Sequence, residues 1–178
     1  MHAGGGEPDL KRALRLVPGF ERAVREVSRM FSEAGVRHAL VGGLGANAYR
    51  NRPRTTEDID FLVGDEAFET HSGGFVTMRV PVVEFDGIEI DQVPLPEDLH
   101  GIEEGLDRAH VSDGVPIAPV DTIVLMKLIA GRTQDLADIE AIVESGADRE
   151  LLKAAVQKAL PKGIDRLQRL LDNIDRAR

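Results

Sequence analysis

The 178-residue chain has no cysteine and no tryptophan, and only one tyrosine and six phenylalanines. Without cysteine there is no disulfide scaffold, no thiolate zinc site and no cysteine nucleophile. An aromatic content of 4% leaves no series of stacking platforms for single-stranded nucleic acid. No apolar run approaches the ~20 residues of a membrane-spanning helix, and the opening Met-His-Ala-Gly-Gly-Gly-Glu-Pro lacks the apolar core of a signal peptide. The expectation is a soluble, cytoplasmic protein without a membrane partner. With 42% apolar and 30% charged residues it has the means for a core of ordinary size.

Charge is unevenly spread beneath the net −9. Residues 1–56 carry 10 basic and 5 acidic side chains, residues 57–126 carry 2 and 17, and residues 127–178 carry 10 and 9. A net negative chain is a poor general ligand for a polyphosphate backbone. The acidic middle fits either a solvated face or a carboxylate cluster that binds divalent cations.

The chain reads as α-β-α-β, then a β-hairpin, then a run of helices, which is an α+β fold with a helical C-terminal half. Residues 1–8 are expected to be disordered. Phe20, Ala23, Val24, Val27, Met30 and Phe31 recur at helical spacing over residues 18–34, with Arg22, Arg25 and Arg29 on the opposite face. Residues 36–41 read as a buried strand, 44–50 as a short helix stopped by Pro53, and 59–63 as a second strand. Residues 64–74 read as loop. Residues 76–85 and 88–93 flank Asp86-Gly87, the residue pair of a two-residue hairpin turn. Residues 94–118 read mostly as loop, and helices are predicted over 120–130, 135–145, 149–160 and 163–176. The domain division expected is a core over 1–118 and a helical bundle over 119–178 packed on it.

Two features carry chemistry. Val41-Gly42-Gly43-Leu44-Gly45-Ala46-Asn47-Ala48 is a strand–glycine–helix passage. Formally, Gly43, Gly45 and Ala48 match a dinucleotide fingerprint, but that fold also needs further parallel βαβ units. A tight turn with no ligand is a second reading. The other feature is Asp58-Ile59-Asp60, whose carboxylates leave one face of a strand because successive side chains alternate. Two ionised carboxylates side by side repel, and a divalent cation relieves them. Asp91 alternates with apolar neighbours on the second hairpin strand and completes a three-carboxylate set if that strand joins the same sheet. Oxygen-only donors suit Mg²⁺ or Mn²⁺. His38 and His71 have no partner at metal spacing and read as structural or surface residues.

Gly42-Gly43, the short helix, Asp58-Ile59-Asp60 and the later Asp91 together resemble the nucleotidyltransferase (polymerase-beta-like) superfamily. The strings Val41–Tyr49 and Arg54–Val63, and the later Lys127–Ile139, are similar to minimal bacterial nucleotidyltransferases, including the AbiEii-type toxins of toxin–antitoxin pairs. The resemblance spans residues 36–145 and implies a mixed β-sheet with flanking helices that transfers an NMP from an NTP to an acceptor hydroxyl. It implies that Asp58, Asp60 and Asp91 are catalytic and hold Mg²⁺ or Mn²⁺, with Asp91 facing the acceptor. Gly42, Gly43, Arg54, Thr55, Thr56 and Lys127 would contact the nucleotide; Gly43 stands where relatives carry a serine. For Arg132, Asp135 and Asp138 a site role and a helix-start or ion-pair role stand level. The acceptor implied is an RNA end such as tRNA, met by the basic front (Arg22, Arg25, Arg29, Arg50, Arg52, Arg54), with a cognate antitoxin as partner. A protein or antibiotic acceptor, or a catalytically silent nucleotide-binding module, fits the same residues.

Overall fold

In the computed structural model, residues 6–177 are described; the expectation of disorder over 1–8 lies outside them for residues 1–5. Asp9 opens a short helix α1 (Leu10–Leu14) by accepting hydrogen bonds from the backbone N–H groups of Lys11 and Arg12. A single 3₁₀ turn, Pro18–Phe20, leads into α2 (Glu21–Glu33), which buries Ala23, Val24, Val27 and Phe31 as the spacing predicts. Then follow β1 (His38–Leu40), α3 (Gly42–Asn47) and β2 (Asp58–Val63). After them come β3 (Phe68–Thr70), β4 (Val76–Met78), β5 (Glu84–Phe85) and β6 (Ile88–Pro94). The helix α4 (His100–Asp107) and the hairpin β7 (His110–Ser112) and β8 (Val115–Ile117) complete the sheet region. The chain continues with α5 (Val120–Ala130), α6 (Thr133–Glu144), α7 (Arg149–Ala159) and α8 (Ile164–Arg176). The fold is α+β, a mixed sheet flanked by helices.

Six strands form one sheet in the order β5-β6-β2-β1-β8-β7. The central pair β1–β2 is antiparallel, whereas β2–β6 and β1–β8 are parallel. An antiparallel β1–β2 step cannot be a βαβ crossover, so the dinucleotide-fold reading of the glycine turn fails on topology. A Cβ on Gly45 would sit 3.1 Å from the Leu40 carbonyl oxygen and 3.1 Å from Ile123 Cδ1. That glycine therefore serves close packing of α3 against β1 and α5.

Along β2, Ile59, Phe61, Leu62 and Val63 are fully buried while Asp58 and Asp60 are only partly so. Ile59, Phe61 and Val63 share one face, where Phe61 meets Phe31 of α2 edge-on at 5.4 Å between ring centroids. Asp58, Asp60 and Leu62 share the other. That second face is covered at Leu62 and uncovered two and four residues earlier, which is why the strand ends in a continuous apolar run but begins with alternating acids. His38 is a core residue. Its ring nitrogens pair with Ser28 Oγ at 2.7 Å and the Val36 carbonyl at 3.0 Å, and burial lowers its pKa, keeping it neutral. His71 is exposed and paired with Thr77 Oγ1.

Three expectations are corrected. The strand predicted over 76–85 is divided: β4 pairs with β3 as a separate two-stranded sheet, and only Glu84–Phe85 pairs with β6. Pro81 between them lacks the N–H that a continuous ladder requires. The loop over 64–74 consequently holds β3 and a 3₁₀ turn at Asp65–Ala67. Residues 94–118 hold a helix and a hairpin. In α4, Ile102 and Leu106 are buried one turn apart. Gly101 and Gly105 read from sequence as breakers, yet a Cβ on Gly105 would overlap Thr122 of α5 and one on Gly101 would lie 2.7 Å from Ala159 Cβ. Close helix packing selects glycine there. The β7–β8 turn, Asp113-Gly114, has φ of 47° and 83°, matching 53° and 77° at Asp86-Gly87; the same signal was present twice.

Helix α5 ends where its sequence says, with Gly131 at φ 64° donating to the Lys127 carbonyl. Gly131→Ala is expected to lower stability by about 1 kcal/mol through the left-handed conformation, and to disturb Arg166, whose guanidinium occupies the space over that glycine. Urea unfolding at constant m-value checks it; an unchanged midpoint would refute the cap assignment.

Candidate active site

The parallel register of β2 and β6 puts Asp60 opposite Asp91 and Asp58 opposite Glu89. Directly paired residues share a face, so carboxylates from two strands project together. Asp58, Asp60 and Asp91 each present an oxygen within 4.8 Å of the others. Glu89 falls in the same row, a residue that the alternation in Ile88-Glu89-Ile90-Asp91 already placed on that face. The sequence pattern left open whether the second hairpin strand joins this sheet; the structure joins it as the immediate neighbour of β2.

The glycine turn closes on these acids. Gly42 has φ +60°, and a Cβ on it would overlap the Asp60 carboxylate. A Cβ on Gly43 would lie 2.8 Å from Thr56 Oγ1 and 3.3 Å from Arg54 Nη2. The Thr56 hydroxyl in turn donates to Asp58 Oδ1 at 2.9 Å. Backbone and carboxylates are therefore packed without an intervening side chain.

These groups line one cleft of about 670 Å³. Gly42, Gly43, Arg54, Thr55, Thr56, Lys127, Arg132 and Asp135 all border it with the three aspartates, while Asp138 and Arg50 do not. One wall is apolar, built from Val93, Pro96, Ile123, Met126 and Ile129. Sequence reading singled out none of these five, because apolar residues on strands and helices read as core.

The cleft also borders an ion network. Lys127 is buried, with its ammonium 2.7 Å from Asp138 Oδ2 and 3.2 Å from Asp135 Oδ1. It is thus held by acids and does not reach for solvent along the helix. Arg54 binds both oxygens of Asp138, at 2.8 and 2.9 Å, and Arg50 reaches the same carboxylate at 2.6 Å. Arg132, with its side chain 78% exposed, pairs with Asp135 at 2.7 Å. The Asp135 carboxylate also accepts from the Arg132 backbone N–H, a helix-start contact. Burial pushes Asp138 up, but the hydrogen bonds from Arg54 and Lys127 outweigh it and hold its pKa low; Asp135 is held low by Arg132 and Lys127 against the same burial. Asp135 and Asp138 are both ion-paired, and of the two only Asp135 borders the cleft.

Asp60 goes the other way. Burial first, then the charges of Asp58 and Asp91, push it up to about 6, with Lys127 and Arg132 opposing. Three carboxylates with oxygens this close, one of them penalised when ionised, could hold a metal ion. In the metal-free fold this raised pKa means that stability falls as pH rises from about 4 to about 6, because the unfolded chain loses the proton first. At pH 7 the ionised Asp60 costs up to about 3 kcal/mol. A cation relieves that cost. Mg²⁺ or Mn²⁺ is therefore expected to raise the melting temperature clearly at pH 7.5 and little at pH 5. Equal shifts at both values would contradict a site built on Asp60.

Arg22, Arg25 and Arg29 lie outside the cleft lining, in ion pairs with Asp86, Glu21, and Glu26 with Glu33. Among the described residues no helix is long and apolar enough to cross a membrane. No protein-family model matches the chain and no curated protein matches its sequence. Among solved structures, the chain is similar to an antigenic nucleotidyltransferase-like protein from Paracoccidioides brasiliensis. The two are 16% identical, the match covers 91% of this chain and 95% of that chain, and the TM-score is 0.44.

Proposed function

We propose that this chain is a divalent-metal-dependent nucleotidyltransferase that moves an NMP from an NTP to an acceptor hydroxyl. The observation that carries the reading is that a three-carboxylate cluster, a set of ion-paired cations and a glycine turn all line one cleft. Asp58, Asp60 and Asp91 would hold Mg²⁺, or Mn²⁺, which when bound polarises the attacking and leaving oxygens. Gly42 and Gly43 let a phosphate approach the backbone, since neither carries a side chain into the cleft. Arg54, Thr55, Thr56 and Lys127 contact the triphosphate, with Arg132 and Asp135 at the rim. Asp91 faces the acceptor, whose oxygen attacks the α-phosphorus in line while the bond to the β-phosphate breaks and pyrophosphate leaves. Residues 1–118 form the transferase core and 119–178 a helical bundle that supplies Lys127 and the ion network.

The acceptor we propose is an RNA end, tRNA in particular, with the chain acting in the cytoplasm as a toxin countered by an antitoxin. This rests on the sequence resemblance over residues 36–145. The ion pairs of Arg22, Arg25 and Arg29 are exposed and screened by solvent, so phosphates can exchange for them at little cost. The test is transfer from each α-labelled NTP, with Mg²⁺, onto total RNA and separately onto total protein. Label in RNA from one nucleotide is the expected result. Label in protein moves the acceptor to a protein hydroxyl. Absence of Mg-NTP binding by calorimetry removes the transferase reading altogether.

A further inference from the structure

Asp138 is the most enclosed charged residue among the described residues, with no exposed surface, yet it does not border the cleft. Its two oxygens receive Arg54 twice, Lys127 and Arg50, with Gln134 at 3.2 Å. Three of those partners, Arg54, Lys127 and Gln134, do border the cleft. Arg54 Nη1 is also fixed, by the Thr55 carbonyl at 3.0 Å, which leaves the Nη2 edge beside the space over Gly43.

A buried ion network is a weak source of stability, because desolvation offsets most of the attraction. Its distinctive effect is geometric. Arg and Lys side chains have long flexible stems, and a bidentate contact removes most of that freedom for a guanidinium. Four cations, Arg50, Arg54, Lys127 and Arg132, share ion pairs with two carboxylates, Asp135 and Asp138, and their charges also reach the cation site: Asp58 acts on Arg54, and Lys127 and Arg132 act on Asp60. Arg50 Nε, moreover, is buried without a hydrogen-bond partner. The carboxylates hold the cations in place, and Arg54 and Lys127 keep part of their surface on the cleft that the three acids also border.

We propose that Asp138 is a positioning residue for the nucleotide polyphosphate: from behind the cleft wall it fixes Arg54 and Lys127 in one geometry and leaves their outward edges free for phosphate oxygens. This inference rests on the transferase reading. It differs from a purely structural role in what it leaves intact, since among the described residues no hydrogen bond or ion pair joins Asp138 directly to Asp58, Asp60 or Asp91.

The test compares wild type with Asp138→Asn, which keeps the shape and removes the charge. Binding of the four Mg-NTPs is followed by calorimetry and binding of Mn²⁺ alone by electron paramagnetic resonance. The expected result is an affinity for Mg-NTP weakened by about 10- to 100-fold with Mn²⁺ binding unchanged. Nucleotide affinity equal to wild type overturns the proposal. So does parallel loss of Mn²⁺ and nucleotide binding, which marks general damage to the fold. If Asp138→Asn fails to fold, Arg54→Lys tests the same pair from the other side, because it keeps the charge and loses the fork; wild-type affinity there also overturns the proposal. If the wild type binds Mn²⁺ but none of the nucleotides, the transferase reading falls and this inference falls with it.

Discussion

Asp58→Ala should lower nucleotide transfer by about 1,000-fold or more while leaving the fold intact. Charge stabilisation at the reacting phosphate is the largest single contribution such a site makes, and its groups act as a unit. One lost oxygen donor therefore disables the whole set. Stability should not fall with activity. Asp58 is partly exposed, its hydrogen bond is to the neighbouring Thr56, and its charge is one of the causes that push Asp60 up. Removing it relieves like-charge repulsion, so the melting temperature should hold or rise slightly in metal-free buffer. Melting by circular dichroism beside single-turnover transfer reads both. Retained turnover, or loss of activity that follows loss of fold, would refute the assignment.

Gly42→Ala should be the more damaging change, although it adds a single methyl group. The backbone there is left-handed at φ +60°, which costs a residue with a Cβ about 1 kcal/mol. The new Cβ would also overlap the Asp60 carboxylate and lie 2.9 Å from Asp60 Cβ. Neither side can yield easily, since β2 is held by strands on both sides and the Val41 N–H donates to the Asp60 carbonyl. A loss of about 2–4 kcal/mol in unfolding free energy and loss of Mn²⁺ binding are expected together. Gly35→Ala gives the comparison: φ is +69° but the space is open, so only the conformational cost should remain. If Gly42→Ala costs no more than Gly35→Ala, the close approach of the turn to Asp60 is not what places glycine there.

Much of this arrangement was legible in the sequence. Apolar pattern located α2, α5 and the C-terminal helices to within a few residues, because α2 and α8 bury one face, α5 is an apolar run buried nearly all round, and glycine, proline or a cap marks the stops. The alternation in Asp58-Ile59-Asp60 set two carboxylates on one face of a strand without any knowledge of what surrounds it. The hairpin at Asp86-Gly87 followed from two residues that tolerate positive φ. Helix α4 was not legible, because its glycines serve contacts with Thr122 and Ala159, partners 17 and 58 residues further along. A glycine chosen for close packing and one chosen to break a helix look alike until the neighbour is known.

The sequence by itself determined which residues bear charge and which side of its own strand or helix each one takes, since those follow from local backbone geometry and the burial of apolar side chains. Tertiary structure alone decided which of those faces meet. That β6 lies parallel to β2 in a register pairing Asp60 with Asp91, and that Asp138 gathers Arg54 from before β2, depends on chain segments whose paired residues are 31 and 84 positions apart. Local pattern carries no information on such separations. Pairing across them is selected by the simultaneous burial of β2, α3, α5 and α6, and only that burial turns scattered acids and bases into one cleft.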